Sequence, residues 1–145
     1  MFLAQGLEQT DGASVADIVT CQEQLGVNFP VDLVAFLTRS NGAEGSVGDG
    51  YLAIYAIDAM VGLNEIWWEA WPDRRFVAFA SDGGGETYAL DTSFDPPLIV
   101  EVPFASTDVK DQNVIGTDLA DLLRYTRSGR QGSGMSGDAG ERRRE

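Results

Sequence analysis

One segment near the middle of the chain restricts the choice of fold more than any other. Residues 75–80 (RFVAFA) and 86–91 (ETYALD) are two short apolar runs separated only by residues 81–85 (SDGGG). Such runs around a glycine-rich turn are typical of a β-hairpin, because glycine adopts the positive φ that a tight reversal needs. The sequence therefore predicts an antiparallel strand pair, which excludes an all-helical bundle and a parallel doubly wound sheet.

Helical patterns lie on both sides of this hairpin. The four predicted helices span residues 14–26, 30–42, 58–71 and 117–126, with Ser14 as the first N-cap and Pro30 at the start of the second. Further strands are predicted at residues 51–57, 98–102 and 114–115, whereas residues 43–50 have the composition of a glycine-rich loop. Helices around a run of strands predict an α+β fold with a mostly antiparallel or mixed sheet.

The apolar faces of the first two helices predict part of the core. The residues on these faces are Val15, Ile18, Val19 and Leu25 on the first helix, and Val31, Leu33, Val34, Phe36 and Leu37 on the second. Phe36 and Leu37 are expected to be fully buried. Cys21 is the single cysteine and cannot form an internal disulfide, so it is expected to be a buried thiol.

The composition changes after Arg127. Residues 128–145 (SGRQGSGMSGDAGERRRE) are rich in Gly, Ser and Arg and contain one large apolar residue, Met135. Such a segment has too little apolar surface to offset the entropy of ordering it. The sequence therefore predicts a single domain over residues 1–127 and a disordered tail over residues 128–145.

The charge of the body bears on its partners. Residues 1–125 contain 20 acidic and 5 basic residues, a net charge of −15. This charge repels phosphate backbones, so nucleic acid is not an expected partner, whereas a basic protein would be attracted. Solubility alone is the simpler explanation of the same charge. No apolar run is long enough to cross a bilayer, and the expectation is a cytoplasmic protein without a membrane partner.

The residue types limit the chemistry that is open to the chain. With no histidine, neither Ser–His nor Cys–His nucleophiles are possible, and a zinc site with one cysteine is not expected. No metal or other cofactor is therefore predicted. Asp82 and Glu86 flank the glycine turn, and paired carboxylates can hydrolyse glycosides. Solvated loop acids are far commoner, so a carboxylate hydrolase is only an alternative.

An ordered set of segments resembles the SUKH superfamily, typified by the fungal Smi/Knr cell-wall-assembly regulators. These segments are LGVNFPVDLVAFLTRSNGA (residues 25–43), a strand and helix with Asn64 near the helix centre, FVAFASDGGGETYALD (76–91) and the closing helix (116–125). The resemblance covers residues 14–126. It implies a binding domain without a shared catalytic or metal site. Bacterial members look like immunity proteins that neutralise toxins, and eukaryotic members look like interaction scaffolds.

Three tryptophans suggest where a partner would bind. Trp67 and Trp71 lie four residues apart on one helix face, which predicts that at least one is in the core. Trp68 is turned by roughly 100° from Trp67 and lies between Glu65 and Glu69, so it is expected to be exposed. Aromatic residues are enriched at binding hot spots. The predicted contact residues are Asp49, Glu65, Trp68, Glu69, Asp82 and Glu86.

The leading interpretation is a non-catalytic immunity protein that blocks a basic bacterial toxin domain sterically. An intracellular interaction scaffold without a toxin partner is the second interpretation, and the carboxylate hydrolase is the third. The sequence leaves open the identity of the partner and the oligomeric state.

Overall fold

The computed structural model describes residues 7–70, 74–105 and 112–131. These residues form four α-helices and seven β-strands. The helices are α1 (Val15–Leu25), α2 (Val31–Arg39), α3 (Ile57–Trp67) and α4 (Leu119–Arg127). The strands are β1 (Glu8–Gln9), β2 (Ala43–Val47), β3 (Gly50–Ile54), β4 (Phe76–Ser81), β5 (Glu86–Asp91), β6 (Leu98–Pro103) and β7 (Asn113–Gly116).

The strands form one antiparallel sheet in which spatial order follows chain order from β1 to β7. The predicted α+β class and the central β4–β5 hairpin are thereby confirmed. Nearly every residue of β4, β5 and β6 is buried, so both faces of the central strands are covered. The helix α4 packs against β2, β3 and β7, which lie in opposite halves of the sheet. The sheet therefore curves around α4.

The helix α3 completes an edge that the sheet leaves open. β3 pairs only with the last part of β4, at Ala80 and Ser81, so the start of β4 has a free edge. The side chain of Asn64 lies on this edge: its Nδ2 donates to the carbonyl of Ala78 at 2.9 Å, and its Oδ1 accepts from the same residue's N–H at 2.7 Å. One amide side chain thus takes the place of a neighbouring strand.

Helix ends follow local capping chemistry, with one contribution from a distant residue. The Ser14 side chain accepts from the N–H of Asp17 at 3.0 Å, and Gly26 ends α1 with φ of 72°, as predicted. The last helix, predicted over residues 117–126, begins instead at Leu119, and Asp118 is its N-cap. The carboxylate of Asp32 on α2 also accepts the N–H groups of residues 119 and 120, at 2.9 and 3.0 Å, and ties the two helices together.

Three boundaries predicted from sequence are wrong. Residues 43–50 are not a loop but β2 and the start of β3, and Gly48 and Gly50 allow their turn to lie directly on the backbone of residues 126 and 127 in α4. The strand predicted over residues 51–57 ends at Ile54. α3 ends at Trp67 instead of Trp71, which lies outside the described residues.

The core contains only part of the residues expected from α1 and α2. Ile18, Leu25, Phe36 and Leu37 are buried as predicted. Cys21 is buried too, and burial raises the pKa of its thiol to about 11.

The expected burial of three valines is wrong. Val15 is 62% exposed, Val19 43% and Val31 86%. Within the described residues, α1 packs mainly against α3 and α2, so only a narrow stripe of its surface is covered.

Candidate partner-binding surface

The exposure expected for Trp68 is wrong. Its side chain is only 6% exposed, and its indole Nε1 donates to the carbonyl of Phe76 at 2.8 Å. The carbonyl groups at the free edge of β4 thus accept hydrogen bonds from both Trp68 and the amide of Asn64. Arg74 covers the ring, with its guanidinium carbon 4.7 Å from the ring centroid. Trp68 therefore belongs to the core and cannot serve as an exposed anchor.

The two glutamates beside Trp68 remain on the surface. Glu65 and Glu69 are exposed, and Ile66 between them is 62% exposed. Trp67 is 2% exposed and stacks on Phe104 at 5.8 Å. The exposed apolar group at this end of α3 is thus Ile66, which sequence reasoning missed.

Asp82 and Glu86 lie at the opposite end of the β4–β5 hairpin from Trp68. Trp68 bonds to Phe76, which pairs with Asp91, five residues from Glu86. At about 3.4 Å per strand residue this separation is roughly 17 Å. The structure therefore does not bring the predicted contact residues into one patch. Asp49 lies in a third place, the exposed β2–β3 turn, where its N–H donates to the carbonyl of Arg127 at 3.1 Å.

Asp82 and Glu86 have different roles in the hairpin turn. Oδ1 of Asp82 accepts the N–H of Gly84 at 2.8 Å and that of Glu86 at 3.2 Å, which fixes the turn. Glu86 is half-buried, and its Oε1 has no hydrogen-bond partner. Burial, the charge of Glu101 and the charge of Asp82 together raise the pKa of Glu86 to about 7. This carboxyl is therefore partly protonated near neutral pH.

The neighbour of Glu86 on this sheet face is a fully buried carboxylate. Glu101 accepts hydrogen bonds from the hydroxyl of Tyr88 at 3.1 Å and from that of Tyr125 at 2.8 Å. Gln131 donates in turn to the Tyr88 hydroxyl at 2.7 Å. Sequence reasoning missed Glu101, although a single acid inside the apolar run LIVEVP indicates a buried polar partner.

A second candidate surface is a groove between α1, the loop after it and the β5–β6 loop. One part has a volume of about 670 Å³ and is lined by residues that include Val19, Glu23 and Phe94. An adjoining part of about 640 Å³ extends past Pro30 and Val31. Sequence reasoning missed this groove, because it placed Val19 and Val31 in the core. The signal that could have found it is Phe94, a large aromatic residue in the proline-bounded loop SFDPP.

The described residues contain no group of three Asp, Glu or Cys side chains placed to hold a metal ion. Nor does any helix in these ranges combine the length and the apolar character that crossing a bilayer requires.

The fold and its landmarks agree with a comparison against known families. Residues 12–125 match the sequence model of the SMI1 / KNR4 family (SUKH-1). This chain belongs to the SMI1/KNR4 family. The match covers all four helices nearly in full and contains Asn64, the resemblance landmark that completes the edge of β4. None of the curated proteins compared with the chain matches it significantly. Membership of the SMI1/KNR4 family is consistent with an immunity or interaction role, but it does not identify a partner.

Proposed function

We propose that this SMI1/KNR4 domain is a non-catalytic protein-binding module whose partner is a basic protein. The observation that supports it is the distribution of charge between the interior contacts and the surface. Residues 1–125 have a net charge of −15. Arg75 bonds both carboxylate oxygens of the buried Asp91, at 2.9 Å each, and the side chain of Arg124 bonds Asp121. Internal partners therefore take up two of the few positive charges, while acids such as Glu65 and Glu69 face solvent.

The finer proposal is an immunity protein. In this role the domain covers the working surface of a basic bacterial toxin domain and blocks its substrate sterically. Acidic side chains speed the encounter with such a partner, and desolvated apolar contacts slow its dissociation. Asp49, Glu65, Glu69, Asp82 and Glu86 remain proposed contributors to this attraction.

One observation favours the alternative of a carboxylate hydrolase. The raised pKa of Glu86 suits a general acid. The neighbouring acids, however, are engaged in structural hydrogen bonds: Asp82 fixes the turn, and Glu101 accepts from two tyrosine hydroxyls. Binding is therefore the function that the geometry supports better. Turnover of glycosides by the purified chain, lost in Glu86→Gln, would overturn this choice.

The proposed function is tested by searching for partners in a lysate of the native host. Partners captured on the full chain are identified, and a basic toxin domain among them is co-expressed with the chain in a sensitive strain. We expect restored growth and an association rate that falls steeply between about 50 and about 300 mM salt, because a Debye length near 10 Å screens the attraction. A basic partner without toxicity would support the scaffold interpretation. A partner that is not basic would contradict the proposal.

A further inference from the structure

The groove between α1 and the β5–β6 loop is one continuous surface. Its two parts share Asn28, Asp95 and Pro97 in their walls. Together they run from Val19 on α1 past the start of α2 to the start of α4. A groove with two adjoining parts of this volume accommodates several residues of another chain.

Its walls expose apolar side chains that the fold does not cover. Val19 is 43% exposed, Phe94 46% and Val31 86%. These are three of the seven large apolar side chains that are exposed in the described residues. Val15, a fourth, lies one turn before Val19 on the same side of α1. Exposed apolar side chains collected along one groove are characteristic of a binding site.

All charged residues that line the groove are acidic. They are Glu23, Asp32, Asp95 and Asp118. Asp32 and Asp118 accept backbone N–H groups of α4 and are occupied there. Glu23 and Asp95 are exposed and line the same part of the groove as Val19 and Phe94. This combination is complementary to a basic segment that carries an apolar side chain.

We propose that this groove binds a basic segment of the partner protein. An apolar side chain of that segment lies between Val19 and Phe94, and a Lys or Arg beside it pairs with Glu23 or Asp95. This assignment rests on the proposed function, since it places the basic partner on a particular surface. The end of α3 also combines an exposed apolar residue, Ile66, with acids. The aromatic contact expected there, Trp68, is buried, so this surface is the weaker candidate.

The test uses the isotope-labelled full chain and a synthetic hexapeptide, acetyl-Arg-Phe-Arg-Leu-Arg-Phe-amide. Titration is followed by backbone amide shifts, with acetyl-Arg-Ser-Arg-Ser-Arg-Ser-amide as the peptide of equal charge. We expect shifts at Val19, Glu23 and Phe94, and a Kd at least about 5-fold lower for the apolar peptide, since anchors contribute most of the affinity. Shifts confined to other surfaces would overturn the assignment.

Matched variants separate the groove from the rest of the surface. Val19→Ser and the pair Glu23→Gln with Asp95→Asn should each raise Kd about 5-fold or more. Val114→Ser removes a similarly exposed valine on β7, and Glu8→Gln with Asp58→Asn removes two exposed acids outside the groove. Both controls should leave Kd within about twofold. Unchanged amide spectra elsewhere show that the variants fold.

The failures of the two proposals are distinguishable. If the peptide binds at low salt but the groove variants do not weaken its binding, the groove assignment is wrong and the preference for basic partners stands. If neither peptide binds at about 50 mM salt, both the groove assignment and the preference for a basic partner are contradicted.

Discussion

Asn64 shows how much of this fold depends on a single polar side chain. It is fully buried in the middle of α3, where a polar residue has to be hydrogen-bonded to be tolerated. Its amide makes three bonds, two to Ala78 and one to the carbonyl of Met60. The residue therefore stabilises both the helix position and the free edge of β4.

Asn64→Ala should destabilise the domain by about 3–5 kcal/mol, because the buried N–H and C=O of Ala78 lose their partners. Urea unfolding followed by tryptophan fluorescence measures the free energy of unfolding. Asn28→Ala is the matched control: Asn28 is an exposed asparagine and should change the free energy by less than about 0.5 kcal/mol. Equal effects of the two substitutions would mean that Asn64 is not a structural residue.

Glu86 predicts a pH dependence of stability. Its pKa is raised in the folded state to about 7, so the folded protein holds this proton more tightly than the unfolded chain does. The stabilisation is fully present below the unfolded pKa near 4.5 and is lost as pH rises through about 7. Glu86→Gln should therefore gain stability relative to the unmodified protein over this range. The gain should be only about 1 kcal/mol, because water screens a half-buried carboxyl.

Melting temperatures of the two proteins at several pH values between about 4.5 and about 8 check this expectation. Glu65→Gln is the control, since Glu65 is exposed on α3, and its curve should run parallel to that of the unmodified protein. A Glu86→Gln curve that also runs parallel would show that burial does not perturb Glu86.

Asp91 gives the stability of the fold the opposite pH dependence, and it does so at lower pH. Burial alone would raise the pKa of Asp91, but hydrogen bonds from Arg75 and Ser93 and the charge of Arg75 hold it below its usual value. Its stabilising contribution is present above the unfolded pKa near 3.8 and is lost as pH falls through the lower folded pKa. Stability is thus expected to be highest in the mildly acidic range between the two effects.

Among the elements, α2 has one buried side and one exposed side. Phe36 is 2% exposed and Leu33 and Leu37 are fully buried, whereas Val31 on the same helix is 86% exposed. The buried side packs between α1 and α4, and Asp32 at the first turn ties α2 to the start of α4. One helix thus fixes the core and part of the groove wall.

Phe36→Ala should reduce the free energy of unfolding by about 3–5 kcal/mol, because it removes a buried ring and leaves a cavity. Val31→Ala on the same helix should change it by less than about 0.5 kcal/mol, since an exposed valine loses little packing. Chemical unfolding of both variants measures the difference. A near-neutral Phe36→Ala would contradict the packing of α2.

For the whole molecule, the folded unit extends beyond the boundary expected from composition. Gln131 bonds the N–H of Tyr51 at 3.0 Å and its carbonyl at 2.6 Å, and it also bonds the hydroxyl of Tyr88. Gly129 lies directly against Asp49 in the β2–β3 turn. We propose that the domain includes residues 128–131. Disorder was predicted over residues 128–145; of these, residues 132–145 lie outside the described residues, and for them disorder stays a prediction.

Two nested truncations test this boundary. Removal of residues 132–145 should leave the melting temperature within about 2 °C, because they contain too little apolar surface to contribute. Removal of residues 128–145 should lower it by roughly 4–10 °C, since the three bonds of Gln131 are worth about 1–3 kcal/mol. Differential scanning calorimetry measures both values, and equal melting temperatures would restore the boundary at Arg127.

Local patterns in the sequence determined the β4–β5 hairpin, both ends of α1, the start of α2, and the burial of Phe36 and Leu37. Turn glycines, caps and apolar spacing act over a few residues, so these features can be predicted without knowing what packs against them. The tertiary structure alone decided the roles of Asn64 and Trp68, because the free edge of β4 exists only after β3 has diverged from it. It also decided that Val19 and Val31 face solvent. The remaining ties join residues 80 or more positions apart in the chain, such as Gln131 with Tyr51 and Asp32 with α4, and no local pattern encodes which distant groups meet.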